Sequence, residues 1–232
     1  PRNAHRSIVG AMILTGVRPV WLAPAIDTGL GIAMGVSYET VEHAVREHPE
    51  ARAALLIHPT YYGVTSELTA IASHLHAHEI LLLTDGAHSA HFSFSEKLPP
   101  SAMAAGADLS AESTHKMLGS LTQTSMLLAH GGGVPPERIR AASGILQTTS
   151  PNEIFLAALD LAREQMEEEG AERLGVLIRR ADDLRRRIND IPGLWAFGAE
   201  YMGAPGMAAL DPTKITVQVM GLGMTGFAAE EE

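Results

Sequence analysis

Lys116 lies thirty-one residues after Asp85, an acid that ends the apolar run Ile80-Leu81-Leu82-Leu83-Thr84. A strand that delivers a carboxylate, followed by an element that delivers one lysine, supplies the two groups pyridoxal phosphate requires of a protein. The amine forms a Schiff base, and the carboxylate keeps the pyridine nitrogen protonated so that the ring accepts electrons. The chain holds only three lysines, Lys97, Lys116 and Lys214, beside fourteen arginines. Where arginine is used so widely, a retained lysine points to a need for its amine, because a guanidinium does not lose its proton to form an imine.

Three separated strings carry the candidate chemistry: Arg2-Asn3-Ala4-His5-Arg6-Ser7, Asp85-Gly86-Ala87-His88-Ser89-Ala90-His91-Phe92, and Ser113-Thr114-His115-Lys116. Small residues after Asp85 let a flat ring lie against the backbone, and Ser113, Thr114 and His115 offer donors to an anion beside the lysine. The same spacing equally suits an Asp85 that caps a turn and a Lys116 on the surface. His74-x-His76-x-His78 attracts notice as a metal site, with His88 and His91 nearby in sequence. On a helix, however, residues two apart point away from each other, so no metal centre is expected. His43, His48 and His130 read as surface residues.

The elements that must position these groups alternate. Val17 to Ala23 reads as a short strand. Ser37 caps a helix with Val41, Ala44, Val45 and His48 on one face. Ala53 to Ile57 is a continuous apolar run suited to a strand buried on both sides. After His58-Pro59-Thr60-Tyr61-Tyr62-Gly63, a second helix carries Leu68, Ile71, Ala72 and Leu75 with Ser66 as its cap. Ile80 to Thr84 is the next strand. Thr122 to Ala129 is a further one, and Pro135-Pro136 opens a helix through about Ala142. Two helices follow, Asn152 to about Glu168 and Ala171 to Asn189. The second has a core stripe of Leu174, Leu177, Ile178, Ala181, Leu184 and Ile188, and Pro192-Gly193 stops it. Lys214 to Met220 reads as a strand. The expected fold class is α/β, a mostly parallel sheet with helices on both faces, where ligands bind beyond the carboxyl ends of the strands.

Composition narrows the function classes. At 232 residues, 46% hydrophobic and 19% charged, the chain suits a globular protein with room for one large domain and part of another. A net charge of −10 without a long basic run argues against nucleic acid as a partner. Arg179-Arg180 and Arg185-Arg186-Arg187 read as a solvated helix face. No stretch approaches the roughly 20 apolar residues of a membrane span. The absence of cysteine excludes disulfides and thiolate metal sites and fits a cytoplasmic location.

In order and spacing these strings resemble the major domain of the pyridoxal-phosphate-dependent ornithine/lysine/arginine decarboxylases, a family with the aspartate-aminotransferase (fold type I) architecture. The family runs Arg-Asn-Cys-His-Lys-Ser, Pro-Thr-Tyr-Tyr-Gly, Asp-Glu-Ala-His-Gly-Ala-His-Phe, Ser-Thr-His-Lys and Leu-Thr-Gln-x-Ser-Met-Leu. The likeness continues here through Pro59 to Gly63, Leu98-Pro99-Pro100-Ser101-Ala102, Gly106-Ala107-Asp108, Leu121 to Leu127, Gln147-Thr148-Thr149-Ser150-Pro151 and Asp211-Pro212-Thr213-Lys214.

The resemblance implies roles residue by residue. Lys116 matches the Schiff-base lysine, Asp85 the partner of the pyridinium nitrogen, and His5 the histidine stacked on the ring. Ala87 matches the contact on the opposite face and His88 the neighbour of the phenolic oxygen. Ser113 and His115 match residues near the phosphate, and Thr148 falls in a segment that reaches the partner subunit's cofactor. The implied reaction is decarboxylation of a basic amino acid (lysine, arginine or ornithine) to a polyamine-type amine and carbon dioxide, in a homodimer or higher homo-oligomer. An aminotransferase or lyase of the same fold type is the alternative, as is a non-catalytic relative acting as scaffold or dimer partner.

Gly86 stands where the family string has Glu, and Ser89 where it has Gly; both changes are expected to loosen the loop. The expected division is a major domain over residues 1–212 and the start of a small domain over 213–232. The family's phosphate-binding segment is expected before Arg2 and the rest of the small domain beyond Phe227, so a piece of a larger protein that holds the cofactor weakly on its own is expected.

Overall fold

The computed structural model describes residues 1–231. Helix α1 (Arg6–Thr15) starts at His5, whose Nδ1 accepts from the Ser7 amide, and ends at Gly16 in the left-handed conformation. A hairpin of β1 (Ile26–Asp27) and β2 (Ile32–Ala33) precedes α2 (Tyr38–Glu47). Then come β3 (Ala53–Ile57), β4 (Val64–Thr65), α3 (Leu68–Ala77) and β5 (Leu81–Asp85). Next are β6 (Leu109–Glu112), the one-turn α4 (Thr114–Met117) and β7 (Met126–Ala129). Helices α5 (Pro136–Leu146) and α6 (Glu153–Asn189) lead to β8 (Trp195–Ala196), β9 (Ala209–Leu210), β10 (Val217–Gln218) and α7 (Gly226–Glu231).

The central sheet has the order β3-β5-β6-β7. Its first three strands are parallel, and β7 runs antiparallel to β6. The segment joining β6 to β7 contains only α4, so the chain folds back directly beside β6. This is the α/β fold expected, with a mixed, mostly parallel sheet. Leu56 and Leu82 of the sheet, Val41 and Val45 of α2, and Leu68, Ile71 and Leu75 of α3 form one buried core. A second cluster joins Phe92 and Leu98 to Met166 and Leu174 of α6. Residues at helical spacing thus close over strands whose alternate side chains are apolar.

Several local expectations are corrected. Val17–Ala23 forms no strand, and Val17, Val20 and Trp21 are exposed. Ser66 does not cap α3: Glu67 occupies that position, and the Ser66 hydroxyl instead accepts from the Val36 amide at 3.0 Å. The two helices expected between 152 and 189 are one helix of 37 residues, capped by Asn152. Gly170 does not break it, although glycine costs about 1 kcal/mol relative to alanine in a helix. It is buried, and a Cβ there would lie 3.2 Å from Cβ of Phe94, so its smallness lets the 92–94 turn pack against α6. In the expected core stripe Leu177 and Leu184 are exposed. The strand expected over Lys214–Met220 shrinks to Val217–Gln218, paired with β8. No described helix is long and apolar enough to cross a membrane.

Candidate active site at the strand ends

Three parallel strands end together, and the candidate chemistry gathers at their carboxyl ends. In register, Ile57 of β3 pairs with Asp85 of β5, and Asp85 pairs with Ala111 of β6. Asp85 is half-buried; one carboxylate oxygen accepts from the Ala87 amide at 3.2 Å. Among the described residues its other oxygen accepts no hydrogen bond. Lys116 lies in α4, five residues beyond Ala111, with an exposed amine and no carboxylate within ion-pair distance among the described residues. Ser113 sits at the start of that turn. His115 donates from Nδ1 to the Thr124 carbonyl at 2.6 Å, and the Thr114 hydroxyl is buried without a partner.

Sequence reading passed over Lys214 as a site residue. Its Nζ lies 3.0 Å from Nδ1 of His88, and Tyr61 stacks edge-on against His88 with its ring beneath the lysine amine. Burial pushes His88 down to about 4, and the neighbouring charges of Lys214 and Lys116 add to the effect. Burial lowers Lys214 as well, with Asp211 opposing and Lys116 assisting. Lys214 and Lys116, with the neutral His88 between their influences, thus make the strand ends electropositive, a suitable counterpart for an anionic ligand.

Behind this group lies a buried hydrogen-bonded pair. His91 Nε2 donates to Asp211 at 3.1 Å, with both side chains almost wholly enclosed. Burial would raise the Asp211 carboxyl, but hydrogen bonds from His91 and from the Thr213 amide and hydroxyl outweigh it and hold it below its ordinary value. Arg185 was expected on a solvated face. It is buried instead: its guanidinium donates to the carbonyls of Pro212 (2.7 Å) and Lys214, and to Asp182 at 2.8 Å. The signal was out of reach of local pattern, since these acceptors lie 27 and 29 residues away in sequence.

The changes at positions 86 and 89, expected to loosen the loop, tighten it. A Cβ on Gly86 would fall 2.5 Å from Oε1 of Glu112 and 2.6 Å from the Ser110 hydroxyl. The carboxyl of Glu112 fills the space beside Gly86, and the hydroxyls of Ser89 (2.8 Å) and Ser110 (2.6 Å) donate to it. Burial raises the Glu112 carboxyl above its ordinary value, partly offset by those two hydrogen bonds.

The remaining expected residues lie outside this network. His5 is exposed, its imidazole bonded only to Ser7. Thr148 is exposed between α5 and α6, where its hydroxyl accepts from the Ser150 amide at 3.1 Å. No hydrogen bond, ion pair or ring contact joins either to Asp85, His88 or Lys116 among the described residues. His76 of the helical histidine string donates to Asp108, and His74 meets Tyr38. A cavity of about 390 Å³ opens between Gly119 and the α6 residues Leu161, Glu164 and Glu168, but neither Asp85 nor Lys116 lines it.

The donor set fits pyridoxal phosphate. One Asp85 oxygen is open to a ring N–H, and among the described residues the amines of Lys116 and Lys214 have no carboxylate within ion-pair distance. Comparison with known proteins points the same way. Residues 1–205 match the family described as Orn/Lys/Arg decarboxylase, major domain. The chain is 43% identical over 230 residues to an arginine decarboxylase of Halalkalibacterium halodurans, and 40% identical over 231 residues to one of Bacillus subtilis. Those alignments cover 99% and 100% of the chain and 47% of each relative, so the chain spans about half the length of these relatives. Its fold matches that of the constitutive lysine decarboxylase of Escherichia coli with a TM-score of 0.74, at 24% identity, over 93% of this chain and 36% of that one.

Proposed function

This chain belongs to the Orn/Lys/Arg decarboxylase family, and from that premise we propose that it is the cofactor-holding part of a pyridoxal-phosphate-dependent decarboxylase of a basic amino acid. The observation that carries the reading is the register of the strand ends: Asp85 and Ala111 pair, and α4, just beyond the carboxyl end of β6, carries Lys116. Arginine leads as substrate, because four relatives at 40% identity or more bear that activity in their names; lysine and ornithine follow.

When bound, the cofactor supplies a carbonyl for an amine and a protonated ring that takes up the electron pair left by departing carbon dioxide. The chain supplies the rest. Lys116 would contribute the amine that tethers the cofactor. The Ala87 amide holds one Asp85 oxygen, leaving the other open to accept from the ring nitrogen, whose protonated form a carboxylate would favour by direct charge pairing. Ser113 and the unpartnered Thr114 hydroxyl offer donors to the phosphate. In this reading His5 would contact the cofactor ring and His115 its phosphate, while Thr148 would serve the site of a second copy in a homodimer. The exposed Ile145, Leu146, Ile154 and Leu156 around Thr148 support a partner surface there.

Carbon dioxide release from arginine, lysine and ornithine, measured on the protein supplied with pyridoxal phosphate, tests the reading. Release from one of them is expected, falling to background in Lys116→Ala and by about 10²-fold or more in Asp85→Asn, the scale of a lost charge-stabilising group. Transamination without carbon dioxide release would overturn it in favour of an aminotransferase.

A further inference from the structure

We propose that Lys214 is a positioning residue of the strand-end site, whose ammonium donates to Nδ1 of His88 and so holds that imidazole in the neutral tautomer with its proton on Nε2. A lysine ammonium carries three donors and no acceptor, so at 3.0 Å the ring nitrogen facing it must accept. The other nitrogen then keeps the proton and presents an N–H to whatever binds at the strand ends.

The fold delivers Lys214 to this place by three separate devices. Arg185, buried in α6, clamps the carbonyls of Pro212 and Lys214. Asp211 is locked between His91 and Thr213, which sets the turn that precedes the lysine. Gly63 clears its path: at φ +86 and without a side chain, it leaves room where a Cβ would come within 3.0 Å of Cβ and Cγ of Lys214. The Asp211 amide also donates to the Gly63 carbonyl at 2.8 Å. Three strings far apart in sequence, around Tyr61, His88 and Lys214, thereby converge on one imidazole.

The charges facing His88 agree with a neutral ring. Lys214, Lys116 and His91 disfavour a proton on it, Asp211 alone favours one, and Tyr61 covers an edge. A fixed N–H donor there would steady an electronegative atom of the bound cofactor. That consequence rests on the decarboxylase reading; the tautomer and the delivery of Lys214 do not.

Nitrogen-15 correlation spectra of the imidazole-labelled, cofactor-free protein test the proposal, with His88→Gln assigning the signal. In the wild type, His88 is expected neutral with its proton on Nε2 from pH 5 to 8. In Lys214→Met, which keeps the stem beside Gly63, its titration midpoint should rise by at least one pH unit, a tenfold change in proton affinity. In Lys214→Arg, which restores charge and donors, it should return toward the wild-type value. Unchanged signals from His91 and His115 would show that the variants fold. A His88 that carries its proton on Nδ1, that is charged at pH 6, or that titrates identically in wild type and Lys214→Met would overturn the proposal. Because no substrate or cofactor enters, a protein without decarboxylase activity but with the expected titration would sink the functional reading and leave this inference standing.

Discussion

The strand-end network and the two flanking segments, α1 and the α5–α6 junction, solve opposite problems. At the strand ends polar groups are enclosed and paired internally: His91 with Asp211, Glu112 with Ser89 and Ser110, and Arg185 with two carbonyls. In α1 and α5 no residue is buried, while Ile13, Leu14, Ile145 and Leu146 are each more than three-quarters exposed. Covering such a side chain is worth about 1.5–3 kcal/mol. His5 lies at the start of one flank and Thr148 beside the other. Asp85, His88 and Lys116 of the expected set therefore lie at or just beyond the strand ends, and His5 and Thr148 lie on segments whose apolar side chains are exposed. That is the pattern expected of a site finished by a second surface.

Breaking the enclosed half should have the largest effect. Asp211→Ala removes the acceptor of His91 Nε2 and of the Thr213 amide and hydroxyl, and is expected to cost about 3–5 kcal/mol in denaturant unfolding. The Asp211 contribution also has a pH signature. Its carboxyl is held below the ordinary value, so the stabilisation is full above that value and is lost as pH falls through the lower folded value. The acid limb of the stability curve should flatten in the variant; an equal acid limb in both proteins would mean that the pair contributes nothing.

An intermediate effect is expected at the neighbouring glycine. Gly86→Ala drives a Cβ into the Glu112 carboxyl and should cost about 1–3 kcal/mol. Shortening the opposing side chain in Gly86→Ala/Glu112→Ser should recover part of that loss, a coupling read by a double-mutant cycle. Glu112 itself titrates in the opposite sense to Asp211. Its folded carboxyl is raised, so its stabilisation is full below the ordinary value and is lost as pH rises toward the folded value. Glu112→Gln should remove that loss just above the ordinary range; additive costs at 86 and 112 would refute the contact.

The smallest change in the chain's own stability is expected on the flank. Ile145→Ser with Leu146→Ser should alter unfolding of the isolated chain by no more than about 0.5 kcal/mol. Sedimentation should show the same pair of changes weakening self-association. Full retention of association would place the partner surface elsewhere and sharpen the contrast in a different direction.

Much of the enclosed half was legible in advance. Short apolar runs marked β3 and β5, helical spacing marked α2 and α3, Asp85 followed from what ends β5, and Lys116 from the scarcity of lysine and the Ser-Thr-His-Lys string. The limits were equally specific. Arg185 sits in a run of arginines that reads as a wet face, yet its partners are carbonyls on a turn beyond the end of its own helix. Gly170 reads as a break, yet the approach of Phe94 makes its lack of a side chain an asset. Gly86 and Ser89 read as loosening changes because the carboxyl that fills and binds them comes from Glu112, on another strand.

From the sequence alone came the fold class, the strand that carries Asp85, and Lys116 as the candidate amine, because periodicity and chain order encode which residues share a face and which end a strand. Only the tertiary structure decided that Lys214 meets His88, that Arg185 is buried and that Glu112 fills the space at Gly86. Those facts are distances between segments up to 126 residues apart. They depend on how strands register and how a long helix lies over a turn, and no local pattern of residue types records them.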